Sequence, residues 1–187
     1  MGKGLVDELK KEFEIEDEWL PMEIHPGTPQ EGVLLEEKFP GFDREAMYAN
    51  LRRSGAPYGI DFGTMKVLSN SRKALEAGEF AREHGKFDEY HELIFHAYFT
   101  ETRDIGEVEL LVELAQKAGL DADELRAALE DGRYLPRLES TLDLAHHYGI
   151  TGTPTFVINN KYALVGAQPL DRMRAALRQI AAEEQAE

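Results

Sequence analysis

The chain has 187 residues, 42% of them hydrophobic and 30% charged, with a formal net charge of −15. That length and apolar content suit a single globular domain with an inserted lobe, and the acidity excludes nucleic acid and anionic membrane as partners, because like charges repel. There is no cysteine, which excludes disulfides, thiolate catalysis and thiolate-bound metal within this chain.

In chain order, Leu5, Val6, Leu9 and Phe13 recur at helical spacing, so a helix is predicted almost from the first residue. The opening residues lack the apolar core of a signal peptide and no run is long enough to span a bilayer, so the expected location is cytoplasmic. Glu18–His25 alternates Leu20, Met22 and Ile24 with Trp19, Pro21 and Glu23, and reads as a strand, with Pro21 favouring an edge. Residues 26–40 read as loop, with Val33, Leu34 and Leu35 either a short helix or packing under the next segment. Asp43–Ser54 reads as a helix that turns Ala46, Met47, Asn50 and Leu51 to one side. Ile60-Asp61-Phe62 reads as a minor strand or a core filler.

From Asn70 to Leu144 the periodicity is helical. Asn70 or Ser71 caps a helix running to about His84, and Phe87–Phe99 forms a second carrying Tyr90, Leu93, Ile94 and Tyr98. Asp104 caps a third with a stripe of Ile105, Val108, Leu111, Val112 and Ala115, ended by Gly119. Asp121 caps a fourth, and Arg133–Tyr148 is a fifth with Pro136 in its first turn. Thr155–Ile158 and Tyr162–Val165 form a hairpin through Asn159-Asn160, since Asn tolerates positive φ. An amphipathic helix follows Gly166-Ala167-Gln168-Pro169.

Gly-Thr-Pro-Thr-Phe with the hairpin and Gly-Ala-Gln resembles the cis-proline segment of the DsbA-like thiol–disulfide oxidoreductases, most of all their FrnE-type branch. Tyr90–Gly106, with its Phe-Thr-Glu turn, resembles the helical insertion of that branch. The resemblance implies an α/β fold, a thioredoxin-like (DsbA-like) sheet over 1–62 and 145–187 with an inserted all-helical subdomain over 63–144. It also implies a Cys-x-x-Cys pair facing the proline, at a position upstream of Met1, since Met1-Gly2-Lys3 matches the point just after the second cysteine. The expectation is therefore a chain starting at an internal methionine with the first strand missing; a natural cysteine-free relative is the alternative. The missing strand would leave Glu18–Ile24 and Thr155–Ile158 facing a gap, closed by direct pairing or by another copy of the chain.

For the site, the resemblance implies a cis Thr153-Pro154 bond, with Gly152, Thr153 and Pro154 offering backbone to an extended peptide or protein thiol substrate. Glu23 matches a family glutamate near the thiols and is a candidate proton relay. No catalytic residue is expected within the chain, which is expected to be redox-inactive, and no cofactor is implied. His25, His84, His91, His96, His146 and His147 show no metal-ligand spacing, so no metal site is expected. A redox-silent peptide-binding or self-assembling module is the alternative function. A relative of the 2-hydroxychromene-2-carboxylate isomerases and kappa-class glutathione transferases is the weaker one.

Overall fold

The computed structural model describes residues 1–41 and 43–185. In chain order its elements are α1 (Gly2–Leu9), β1 (Val33–Leu34), α2 (Leu35–Lys38), α3 (Arg44–Gly55), β2 (Val67–Leu68), α4 (Arg72–Glu83), α5 (Phe87–Phe95), α6 (Val108–Lys117), α7 (Ala122–Asp131), α8 (Leu135–His147), β3 (Thr155–Ile158), β4 (Tyr162–Val165) and α9 (Leu170–Glu184). A 3-10 turn, Ala56–Tyr58, follows α3, and a π-helical turn, His96–Thr100, continues α5. The chain divides into two compact units, 1–19 with 150–187, and 20–149.

In the first unit, α1 buries Leu5, Val6 and Leu9, as the helical spacing predicts, but it ends at Leu9, so Phe13 lies beyond the helix and is only half-buried. β3 and β4 pair antiparallel, Phe156 opposite Leu164 and Ile158 opposite Tyr162. Asn159 and Asn160 both take positive φ, 51° and 53°, as the turn between them demands. Asn159 Nδ2 donates to Glu184 at 2.6 Å and Tyr162 Oη to Glu183 at 2.9 Å, tying the hairpin to the end of α9. Arg174 of α9 donates from Nε to Glu12 at 2.7 Å, just past α1.

The second unit is mostly helical, with a core contributed by α4, α5, α6 and α7. Phe80, Tyr90, Leu111 and Leu125 are fully buried in it, and the Tyr90 hydroxyl is satisfied by donating to the Leu111 carbonyl at 3.0 Å. Asp43 and Asp121 cap α3 and α7 by accepting from Ala46 N–H and Glu124 N–H, each at 2.9 Å. Asn70 accepts from Arg72 N–H at 3.0 Å, so its side chain, not that of Ser71, serves the start of α4.

Several predicted features come out differently. Glu18–His25 is irregular: Pro21 cannot donate to a ladder, and among the described residues no strand runs beside the segment to pair with it. Direct pairing of this segment with Thr155–Ile158 is therefore not formed. Val33–Leu34 pairs with Val67–Leu68, two residues on each side, too few to show a period in sequence, while Leu35 opens the short helix α2, one of the two readings of this stretch. In α3 the buried residues are Tyr48 and Gly55, while Ala46 and Asn50 are exposed. Asp104 serves a turn, accepting from Gly106 N–H at 2.9 Å, and α6 starts later.

Two local features carry stress. Thr102, a β-branched residue, has φ 59°, a conformation that costs about 1–3 kcal/mol. Glu76 in α4 is fully buried and neither carboxylate oxygen has a hydrogen-bond partner; Lys73 Nζ lies 3.5 Å away but donates to the Leu129 carbonyl. Burial pushes the Glu76 carboxyl above its ordinary 4.5. Below that pH the group is neutral in the folded and unfolded chain alike. As pH rises past it, the unfolded chain ionises first, and stability falls until the buried carboxyl also ionises. Glu76→Met is therefore expected to be more stable than the parent by about 1–3 kcal/mol at pH 7, with the difference shrinking as pH falls toward 4.5. Denaturant titrations at several pH values check this; a variant no more stable at neutral pH contradicts it.

Candidate functional site

The candidate site sits on the loop that enters β3. The Thr153–Pro154 bond is cis. Around it, Thr155 Oγ1 donates to the Gly152 carbonyl at 2.8 Å and Gly166 N–H donates to the Pro154 carbonyl at 2.8 Å, so the loop is pinned on both sides of the proline. Thr153 is exposed and Pro154 half-buried. A β-carbon placed on Gly152 would meet no atom within 4 Å, so the loop borders open space there.

The first turn of α1 closes the other side. A β-carbon on Gly2 would lie 3.1 Å from Pro154 Cβ and 3.8 Å from Phe156 Cζ, so glycine is what lets the helix approach this closely. No side chain caps α1 and its first turn holds no acidic residue. The leading N–H groups of a helix lack intrahelical partners and carry about half a positive charge between them, which favours an anion such as a thiolate. The chain supplies no such sulfur, having no cysteine.

Among the described residues β3 is paired along one edge only, to β4. Because Gly166 N–H donates to the Pro154 carbonyl opposite it, the alternation of an antiparallel pair turns the N–H and C=O groups of Thr155 and Val157 away from β4. The Gly152–Pro154 loop thus runs straight into a strand edge able to accept another extended segment.

Glu23 lies in the other unit, half-buried, where its Oε2 accepts from Arg72 Nη2 at 2.8 Å and Nε at 3.2 Å. The hydrogen bond to Glu23 holds the Arg72 guanidinium above its ordinary value. This partner stands 49 positions away, and nothing in the sequence signals it. Gly2 and Phe156, which wall the proline, are the site residues that sequence reasoning did not single out. Both stand inside the motifs that carry the family resemblance, Met1-Gly2-Lys3 and Gly-Thr-Pro-Thr-Phe, without being marked there as walls of the site. The histidines are dispersed: His25 sits edge-on to Phe39, His84 Nδ1 lies 2.9 Å from the Phe80 carbonyl, and His91 lies between Phe87 and Phe95. Among the described residues no group of three or more His, Cys, Asp or Glu could hold a metal ion, and no helix is long and apolar enough to cross a membrane.

A cis-proline loop laid against the first turn of a helix, on a hairpin flanked in sequence by helices, is a thioredoxin-like arrangement. The DSBA-like thioredoxin domain family matches residues 3–178, and the chain belongs to that family. It is 29% identical over 162 residues to the uncharacterized protein YwbO of Bacillus subtilis, covering 86% of this chain and 80% of that protein. The crystal structure of a probable DsbA oxidoreductase from Streptomyces coelicolor superposes with a TM-score of 0.88 at 28% identity, over 97% of this chain and 84% of that one. A 2-hydroxychromene-2-carboxylate isomerase superposes with a TM-score of 0.75 over 98% of this chain and 90% of that one, at 15% identity, and so shares the fold.

The close approach of Gly2 to Pro154 gives a direct test. Gly2→Val is expected to destabilise the unit of residues 1–19 and 150–187 by about 1–3 kcal/mol through overpacking. Amide hydrogen exchange checks it: faster exchange in α1 and the hairpin, with α4–α7 unchanged. Unaltered exchange throughout contradicts the contact.

Proposed function

We propose that this chain is the substrate-holding part of a FrnE-type thiol–disulfide exchange protein, with the reactive sulfur supplied from outside its 187 residues. The family acts generally on protein thiols. The observation that carries the reading is the first turn of α1 seated on Pro154 beside the open space at Gly152. Placement in the FrnE-type branch is supported by the Tyr90–Gly106 segment, and placement in the cytoplasm by the sequence reading alone.

In this reading an extended segment of a partner protein lies along Gly152, Thr153 and Pro154 and adds to the outer edge of β3, meeting the outward backbone groups of Thr155 and Val157. Main-chain pairing gives affinity with little demand on side-chain identity, which suits a protein that handles many substrates. A thiol brought to the start of α1 has its thiolate favoured by the exposed N–H groups. No residue of this chain performs the nucleophilic step. Glu23 is proposed as a proton relay only to such an incoming thiol; within its own unit it accepts from Arg72 at 2.8 Å. The isomerase alternative has fold likeness alone to support it.

The free edge of β3 also favours a second reading, in which two copies of the chain pair through it. Sedimentation at rising concentration separates the two: a stable dimer favours self-pairing, a monomer leaves the edge to a substrate.

Two measurements test the main reading. In an insulin-reduction turbidity assay the chain is expected to add nothing to the rate set by dithiothreitol alone; acceleration overturns the account of where the sulfur lies. Titration with an unstructured cysteine-containing peptide is expected to shift amide resonances of residues 152–157 selectively. Saturating peptide with no shifts there overturns the substrate-holding role.

A further inference from the structure

Two cations act on the buried Glu76 of α4, and both are committed elsewhere. Arg72 donates from Nη2 and Nε to Glu23, at 2.8 and 3.2 Å. Lys73 donates to the Leu129 carbonyl, and its Nζ stands 3.5 Å from Glu76 Oε1 without a hydrogen bond to it. From α7, Asp131 faces the same carboxyl and repels its ionised form. One turn further along α4, Glu79 engages Arg82 and, from α8, Arg137. Glu139 of α8 acts on Arg72. An ionised Glu76 therefore has one cation within reach, the Lys73 ammonium.

That ammonium has a second task. The carbonyls in the last turn of a helix have no intrahelical donor. At the end of α7, Gly132 N–H and Arg133 N–H both donate to the Ala128 carbonyl. The next carbonyl, that of the buried Leu129, is left to Lys73. A cation there is also favoured by the helix dipole. Lys73 thus fastens α4 to the end of α7. Its side chain keeps 28% exposure on a flexible stem, so it can re-aim without disturbing the core.

A neutral carboxyl at position 76 leaves this fastening alone. A buried carboxylate does not, because an unpaired charge inside a protein is costly. A hydrogen bond between two ions is also stronger than one from an ammonium to a neutral carbonyl. We propose that Glu76 and Lys73 form a proton-operated clasp. With Glu76 neutral, Lys73 ties α4 to the last turn of α7 through the Leu129 carbonyl. With Glu76 ionised, the ammonium moves onto the carboxylate, the tie is released, and the turn over residues 130–135 that leads into α8 loosens. The clasp is closed at low pH and opens as pH rises past the value at which the folded chain's Glu76 ionises, which burial holds above the ordinary 4.5. This inference is independent of the thiol-exchange reading, since it uses none of the residues at the proline loop.

The test is amide hydrogen exchange of the full chain from about pH 5 to about pH 9, corrected for the intrinsic base dependence of exchange. In the parent, opening of the amides of residues 130–135 is expected to rise roughly fivefold or more across that range, with α5 unchanged. Glu76→Gln, which keeps the shape and cannot ionise, is expected to stay closed throughout. Lys73→Met, which lacks the tie, is expected to be open at both ends of the range with no dependence on pH. Circular dichroism confirms that each variant is folded at each pH. A rise that persists in Lys73→Met overturns the clasp in favour of simple exposure of Glu76 when the helices part. A parent with no rise, or an equal rise in the parent and Glu76→Gln, overturns it as well.

Discussion

A close backbone approach governs the smaller unit. Gly2 brings the first turn of α1 onto Pro154 and Phe156, at a separation that leaves no slack for a β-carbon. Once that contact is made, several consequences follow from it. The first turn of the helix lies against the proline loop, the hairpin beyond the proline meets it through Phe156, and Leu5, Val6 and Leu9 are buried. A site whose chemistry is electrostatic needs this kind of fixed geometry, because a helix N-terminus acts only over its first turn.

The division of labour in the chain follows from composition as much as from geometry. A domain with no cysteine cannot exchange disulfides on its own account, and the proposed function rests on features that do not depend on sulfur. These are the pinned loop, the strand edge beside it and the uncapped helix. Such parts act by main-chain hydrogen bonding and dipole, neither of which requires a particular side chain. The larger unit meets different constraints. Its core is closed by Phe80, Tyr90, Leu111 and Leu125, but α4 also buries Glu76 and Glu79. Glu79 is met by Arg82 and Arg137, whereas Glu76 has the Lys73 ammonium 3.5 Å away and no hydrogen-bond partner. That unit is therefore held together by apolar packing that tolerates a poorly paired carboxyl.

How far the sequence spoke for itself depends on the range of the interaction. Helices whose starts are marked by a short side chain bonding three residues on, such as Asp121 with Glu124, are legible because cause and effect are local. The hairpin is legible for the same reason: Asn159-Asn160 takes the turn and alternation sets the rest. The proline loop was legible through family likeness, since Gly152, Thr153 and Pro154 stand in the expected order. What escaped depends on distant partners. The Glu23 pairing with Arg72 and the two-residue ladder of Val33–Leu34 with Val67–Leu68 have no local signature. The irregular course of Glu18–His25 shows the converse, because strand alternation without a neighbouring strand yields no strand. The buried Glu76 was hidden by its own charge, which marks a solvent-facing position in any pattern argument.

The most direct measurement of the account is a set of nuclear Overhauser contacts in solution between the Gly2 α-protons and the ring protons of Pro154. The account predicts strong contacts there, together with contacts from Gly2 to the Phe156 ring. Their absence, in a chain whose α1 is otherwise helical, would contradict the seating of the helix on the proline loop and the substrate-holding site built on it.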